Sequence, residues 1–393
     1  MRTTWIYAVL LAPGVVLGHG EMAGDQPDVL VGAALGLVAH DNGAGDENGY
    51  WRVPGVLMGG EALPAEQGAA VDEAMLWGHY RINDRSFAHA GLAYHGDGVE
   101  LENLFLSYHG VAGQPVHMRL GLTGASFSPS SMHHRAAGTF MESSLLADTF
   151  WGRDFHDVGL HADWKPDANW EFGVEIWDGQ AFPGSKGKGT QDVYAKWQGS
   201  VSDWKLSAGA WAMRAAAGQR GDSRYNGDGH SHGGVVAAAE PVDVRFSGDS
   251  ELYGAWFGIA APPIRNVVFG LNYEALRARA GGQLSDETRV ADYSADHLGY
   301  VISPYARLGK FSLAYRAEKL SLDNHISGAA AQILAEEANL ITAAQPERQT
   351  VQLEWEAARN IWLQLAYTRD ETLAESDNRV SAGLLWRDEL YRR

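Results

Sequence analysis

The chain contains no cysteine, which excludes disulfide scaffolds and cysteine-ligated zinc or iron–sulfur centres. Charge is sparse, at 20% of residues, and basic charge is scarcer still: 31 Lys and Arg stand against 49 Asp and Glu, a net −18. A chain so acidic lacks the basic face that nucleic-acid phosphates require. Long apolar runs are missing too. Beyond the N-terminal segment nothing approaches the roughly 18 uninterrupted apolar residues of a membrane-spanning helix, so helical spanning is excluded. Disorder is excluded by the opposite property, since 45% hydrophobic and 10% aromatic residues suffice for a packed body. What the 393 residues do hold in quantity is 47 Gly, 14 Trp and 15 Tyr, a composition that points to β-structure with many turns.

Residues 1–18 read MRTTWIYAVLLAPGVVLG. A positive Arg2, an apolar core interrupted by Pro13 and a small Gly18 before polar sequence form the layout of a secretory signal peptide. The remaining residues, 19–393, are expected in an exported compartment.

Period-two alternation organises that exported part. Ile361, Leu363, Leu365 and Tyr367 share one face, while Gln364, Ala366 and Thr368 share the other. Val351, Leu353 and Trp355 oppose Gln352, Glu354 and Glu356 in the same way, and Phe172, Val174 and Ile176 oppose Glu171 and Glu175. Each run is a strand with one apolar and one wettable face. Sixteen such strands are predicted, near 29–39, 74–82, 86–94, 100–108, 116–124, 158–164, 170–178 and 190–199 in the first half. The second half adds 204–214, 251–260, 266–277, 296–306, 310–320, 349–358, 361–369 and 378–387. Every second link is short and rich in Asp, Asn, Gly or Pro, as at 83–85, 308–309 and 359–360. The intervening links include long ones, at 125–157, 215–250 and 321–348.

Alternating long and short links around an even strand count predict an all-β fold of one kind, a transmembrane antiparallel β-barrel of about 16 strands. Its long loops face outside and its short turns face the periplasm. A soluble β-sandwich accounts for the alternation but not for the length asymmetry. Trp164, Trp170, Trp177, Trp204, Trp362 and Trp386 near strand termini suit interfacial girdles. No plug domain is expected, because the stretch from residue 40 to 73 is too short to fold as one.

If apolar faces meet lipid, the opposite faces line the lumen. The acidic candidates are Asp163, Glu171, Glu175, Asp192, Glu274, Glu318, Glu354 and Glu356. The basic ones are Arg119, Lys196, Lys205 and Arg316. Eight against four predicts a negative pore potential that favours cations; the alternative use of these residues is a cross-strand electrostatic network that stiffens the wall. The loop at 125–157 carries apolar residues of its own, including a helical-looking piece around 140–146, and is expected to fold into the lumen as a constriction. The run at 329–344, AAQILAEEANLITAA and its neighbours, reads as a short amphipathic helix packed on the barrel.

Within this region the strand ending RLGLTGASFSP (119–129), followed by TFMESSLLADTFWGRDFHDVGLHADW (139–164), resembles porin-like barrels near the phosphate-selective porin O/P family. The segment Gly59-Gly60-Glu61 and the histidines His133 and His134 also resemble proteins labelled zinc-regulated TonB-dependent outer-membrane receptors. The resemblance covers the second quarter of the chain and implies a sixteen-strand outer-membrane channel without catalysis. Two departures stand out: few lumenal Arg and Lys for phosphate, and neither the plug nor the 22 strands of a TonB-dependent receptor.

Fifteen histidines raise the question of metal. His230-Ser231-His232, in an acidic, glycine-rich loop, would capture Zn²⁺ or Cu²⁺ weakly. His133 and His134 form a second candidate if Glu142, His156 and Asp157 fold beside them. The competing reading is of exposed loop histidines without a ligand, while His117 and His161 on inner faces are expected to form hydrogen bonds. Ser143, Ser144 and His156 are near enough in sequence to be considered as a nucleophile–base group, but no nucleophile motif surrounds them. The sequence thus predicts a non-enzymatic, cation-preferring passive channel of a Gram-negative outer membrane, embedded in lipid and lipopolysaccharide. A metal-binding receptor with weakly held zinc and a loop-closed structural barrel are the alternatives. Trimers are common among general porins, but nothing in the sequence marks an interface.

Overall fold

A computed structural model describes residues 27–45, 51–95, 98–135, 138–222, 224, 244–343, 345–373 and 375–393. Sixteen antiparallel strands close into a barrel. The first eight are β1 (Val29–His40), β2 (Gly68–Asn83), β3 (Ser86–Tyr94), β4 (Val99–His109), β5 (Val116–Gly124), β6 (His156–Trp164), β7 (Trp170–Trp177) and β8 (Thr190–Val201). They are followed by β9 (Trp204–Arg220), β10 (Arg245–Ala260), β11 (Val267–Ser285), β12 (Val290–Leu308), β13 (Phe311–Ser327), β14 (Glu347–Ala358), β15 (Ile361–Asp370) and β16 (Asp377–Arg392). Each strand pairs with its sequence neighbours, and β1 pairs with β16 from Leu30↔Arg392 to His40↔Ser381. No sheet edge is left open, which is what the interior of a bilayer demands of β-structure.

The alternation seen in the sequence is the burial pattern of the wall. Leu104, Leu120, Ile176, Val193, Leu313 and Leu365 lie on the exposed outer face, where lipid would cover them. Trp164 and Trp170 both pack on Phe172 at the short-turn end, ring centroids 5.7 and 5.4 Å apart, and Trp204 is exposed at the same end. Two girdle assignments are corrected. Trp177 points inward and donates to Asp192 at 2.8 Å. Trp362 shares parity with buried Gln364, and Arg387 lies over its ring at 4.7 Å.

Strands β9 to β13 extend well past their sequence-predicted outer ends; β11 and β12 reach 19 residues each, against the roughly 9–11 that span a membrane. Their outer faces turn polar there, with Arg277 on Asp296 and Arg214 on Asp249 at 3.2 Å. The apolar–polar contrast disappears where lipid ends, and with it the sequence signal.

The core lies inside the barrel. The described parts of the first long loop, 41–45 and 51–67, run inward without regular structure, and Trp51, Val53, Met58 and Ala62 are buried. The third long loop, residues 125–155, adds Phe127, Leu145, Leu146, Phe150, Trp151 and Phe155. Both pack on inner-wall Trp177, Trp211, Leu252, Trp256, Leu276 and Leu320 as one dry cluster. The segment before β2, read in the sequence only as too short for a plug domain, places these side chains in the lumen. A close approach makes the packing of the two loops feasible. Gly60 and Gly152 both adopt left-handed conformations (φ 69° and 63°), and a Cβ on Gly60 would lie 2.6 Å from the Gly152 Cα. Glu61 N–H donates to the Gly152 carbonyl at 2.7 Å.

The seventh long loop carries α1 (Ala331–Glu337), shorter than the run 329–344. Leu334, Ala335, Ala338 and Leu340 pack with Phe246, Leu284 and Tyr293 in a second cluster, so this helix rests on the barrel as expected. In the third loop the helical piece begins later than expected, at residue 145, and is π-helical over Ala147–Trp151. The preceding residues have other work: Met141 N–H donates to Gln352 at 2.8 Å, and Arg316 donates to the Glu142 carbonyl at 3.0 Å. Extended backbone leaves those groups free to bond the wall.

Because Trp151 is fully buried between the loops and β9, Trp151→Ala is expected to cost about 3–5 kcal/mol, while Leu120→Ala on the outer face costs less than about 1 kcal/mol. Urea unfolding of the detergent-folded barrel measures both; equal midpoint shifts would contradict a dry interior.

Candidate permeation path

The third loop crosses the lumen and is bonded to wall strands on several sides. Near its start, Ser128 and Ser130 donate to Glu274 of β11, the latter at 3.0 Å, and Trp256 Nε1 donates to the Phe127 carbonyl at 3.2 Å. Further on, the His134 ring meets Glu73 of β2 at 3.3 Å. Arg135 pairs with Asp72 of β2 at 2.8 Å and donates to Gln364 of β15 at 2.7 Å. Arg379 of β16 then grips Glu142 through two hydrogen bonds, 3.0 and 2.6 Å. Arg348 of β14 reaches Asp148 at 3.2 Å, and Asp370 bridges both arginines at 2.8 and 3.2 Å. Leu145 N–H donates to Glu318, which also pairs with Arg316 at 2.5 Å.

These contacts select the protonation states of the loop. Burial alone pushes the Glu142 carboxyl up, but the Arg379 guanidinium outweighs it and brings the group down to about 2. For His134, burial pulls the ring down, while the bond to Glu73 and its charge raise it to about 10. His133, buried with Arg153 nearby and no compensating carboxylate contact, is lowered well below its ordinary value. Between the first loop, the third loop and the wall there remains a cavity of about 80 Å³, with His40, Asp72, Glu142, Asp148, Arg153, Arg348 and Arg379 in its lining. Its carboxylates and guanidiniums are balanced three against three.

The sequence-predicted lining residues occupy inner-face positions, and most are already engaged. Arg119 lies 3.8 Å and His161 3.1 Å from Glu175. Asp192 accepts from Trp177, and His117 is 3.5 Å from Asp163. Glu171 pairs with Lys196 at 2.9 Å and Lys165 at 3.3 Å. Gln364 donates to Glu354 at 2.8 Å, Glu356 lies 4.0 Å from Lys310, and Lys205 donates to Ser200 at 2.8 Å. Arg348, Arg379 and Arg387 also lie on inner faces and are missing from the tally of four bases. Their parity with Gln352, Ser381 and Leu385 was available as a signal.

Two sequence groupings do not assemble. Glu142 is held by Arg379 rather than by His133 or His134, and Asp157 accepts from the backbone of Gly179, Gln180 and Ala181. Among the described residues no three histidines and carboxylates gather closely enough to hold a metal ion; His230, His232 and the signal segment lie outside the described residues. Ser143 donates to Asp148 and Ser144 caps the Ala147 N–H, so neither hydroxyl is paired with His156.

No protein-family model matches the chain, and no curated protein matches it. Solved structures do match. A loop-L8 deletion form of OmpT, an outer membrane protein of Vibrio cholerae, superposes with TM-score 0.55 at 12% identity, covering 93% of this chain and 100% of that one. Pseudomonas putida OprB at high pH gives 0.54 at 10% identity, with 93% and 94% covered. Salmonella typhi OmpF, solved with daunomycin, gives 0.52 at 10% identity, with 94% and 100% covered. The fold is that of the porin-like outer-membrane barrels. At such identities the likeness establishes the architecture of this porin-like chain and leaves its lining to be read from its own residues.

The three shifted loop groups set the pH of tightest docking of the third loop, and His133, lowered by burial, contributes fully above its ordinary 6.5 and loses its contribution as pH falls. Glu142 contributes fully above its ordinary 4.5 and loses its contribution as pH falls through about 2. His134 contributes fully below its ordinary 6.5 and loses its contribution as pH rises through about 10. Hydrogen exchange over residues 125–135 and 138–155 is expected to be slowest near pH 6.5, where the His133 and His134 contributions meet, after correction for intrinsic rates. Protection that keeps rising to pH 10 would contradict these assignments.

Proposed function

We propose that this chain is a passive channel of a Gram-negative outer membrane, passing small solutes or ions beside the third loop. The observation that carries the reading is the combination of an apolar outer face with a lumen whose crossing loop is docked on the wall by charged side chains. That docking line of Arg316, Arg348 and Arg379 against Glu142, Asp148 and Glu318 leaves a polar, charged cavity instead of a sealed apolar one.

The proposed selectivity is weakly cationic. With Arg348, Arg379 and Arg387 added, the eight inner-face acids stand against seven bases, and this small excess supports it together with the net charge of −18. The arginines at the docking line and the pairing of Glu171, Glu175 and Glu318 reduce it, because a neutralised pair contributes little to the pore potential. The same arginines are few and already bound to carboxylates, so phosphate specificity is not proposed. No catalytic role is proposed either. A lipid and lipopolysaccharide surround belongs to this reading, and so does a trimer, since Vibrio cholerae OmpT has been described in a trimer form. Weak Zn²⁺ capture by His230 and His232 is a separate proposal that rests on their spacing in an acidic loop.

Reconstitution in planar bilayers tests the channel. Discrete current steps are expected in KCl, with a reversal potential on the cation side of zero in a salt gradient. Absence of steps would overturn the channel, and a reversal potential of anionic sign would overturn the selectivity.

A further inference from the structure

Nine of the fifteen histidines (79, 89, 95, 109, 117, 133, 134, 156 and 161) lie between β2 and the end of β6, about a quarter of the chain. Four of them form something more ordered than a local excess. His79 of β2 and His89 of β3 are directly opposed across the ladder, with ring centroids 4.9 Å apart. His109 of β4 and His117 of β5 are directly opposed as well, with centroids 4.4 Å apart. Phe87 joins the pairs, stacked on His79 at 5.0 Å and edge-on to His109 at 5.2 Å. The result is an unbroken chain of rings on the inner wall, at the short-turn end of the barrel.

We infer that this histidine ladder is a transit site for imidazole-binding divalent cations such as Zn²⁺ or Ni²⁺, a substrate class for the channel proposed above. The inference rests on that channel reading. Opposed imidazoles on neighbouring strands offer two nitrogen ligands to one ion, and borderline cations take nitrogen where Ca²⁺ and Mg²⁺ require oxygen. No third protein ligand converges among the described residues, so water completes the shell at the partly exposed His109–His117 pair, while the His79 ring nitrogens are shielded and that ring must turn to take an ion. Modest, repeated sites are what conduction needs, because an ion must leave each site as readily as it enters. The nearby fixed charges permit it. Arg81 faces Asp28 at 3.3 Å, Arg119 is held by Glu175 and Ser126, and Asp163 stands 3.5 Å from His117.

The test uses the full-length barrel with Zn²⁺ as the probe, in calorimetry and in bilayer recordings. Micromolar Zn²⁺ is expected to bind and to block the KCl current reversibly, with EDTA restoring it. The paired substitutions His109→Gln/His117→Gln and His79→Gln/His89→Gln are each expected to weaken binding and block at least tenfold while leaving KCl steps intact. His230→Ala/His232→Ala is expected to leave the block unchanged. Unaltered block in both wall variants, or its loss in the loop variant alone, would overturn the ladder. If one wall pair fails to fold, the other decides. A wild type that carries no KCl current defeats the channel reading, and calorimetry then judges the ladder by itself. Current without Zn²⁺ binding or block defeats the ladder and leaves the channel standing.

Discussion

Lipid offers the peptide backbone no hydrogen-bonding partner, and the pairing of β1 with β16 is the answer on which everything else in this molecule depends. Once the sheet is closed, each residue's parity decides whether it meets lipid or lumen. An apolar outer face then supplies no core, since lipid covers it in the folded and inserted states alike. The packing that specifies one structure has to be found inside, and sixteen strands enclose more space than their own side chains fill.

The first and third loops fill much of that space, and they do it in two chemically distinct ways. Toward β7–β12 the contact is dry, built from Trp151, Phe155 and Phe127 against Trp177, Trp211 and Trp256. Toward β13–β16 it is ionic, built from Glu142 and Asp148 against Arg379 and Arg348. Breaking a buried pair by removing one partner costs about 3–5 kcal/mol, and much of this is the penalty of the charge left behind. The ionic side therefore fixes where the loop sits while keeping water and charge along one flank. Any passage for solutes past the third loop belongs on that flank, and the dry side acts as its backing. The histidine ladder lies on yet another sector, β2–β5, nearer the short turns.

Much of this was legible in the sequence because lipid imposes a simple rule. A strand such as β5, polar inside and apolar outside, shows its bounds in the alternation of His117, Arg119 and Thr123 against Met118, Leu120 and Leu122. The rule stops where the membrane stops, which is why the outer thirds of β11 and β12, with Arg279, Gln283, Asp292 and Ser294 on the outside, were not visible. The inward course of the third loop could be anticipated from its own apolar residues. Its partners could not, because Arg379 and Glu142 are 237 residues apart and no local pattern announces a contact across a lumen. The inward course of residues 51–67 was hidden for a related reason: without periodicity, Trp51 and Met58 read as loop residues until the wall they pack on is in place.

The central claim is that the ion pairs between the third loop and the β14–β16 wall determine how much of the lumen is open. Single-channel conductance of the wild type against Glu142→Gln/Arg379→Gln tests it most directly, since that double substitution removes both charges of the pair and leaves no buried charge from it unpartnered. A larger or noisier conductance in the variant, with the heat stability of the barrel retained, is the result the account predicts. A variant conductance indistinguishable from that of the wild type would contradict it.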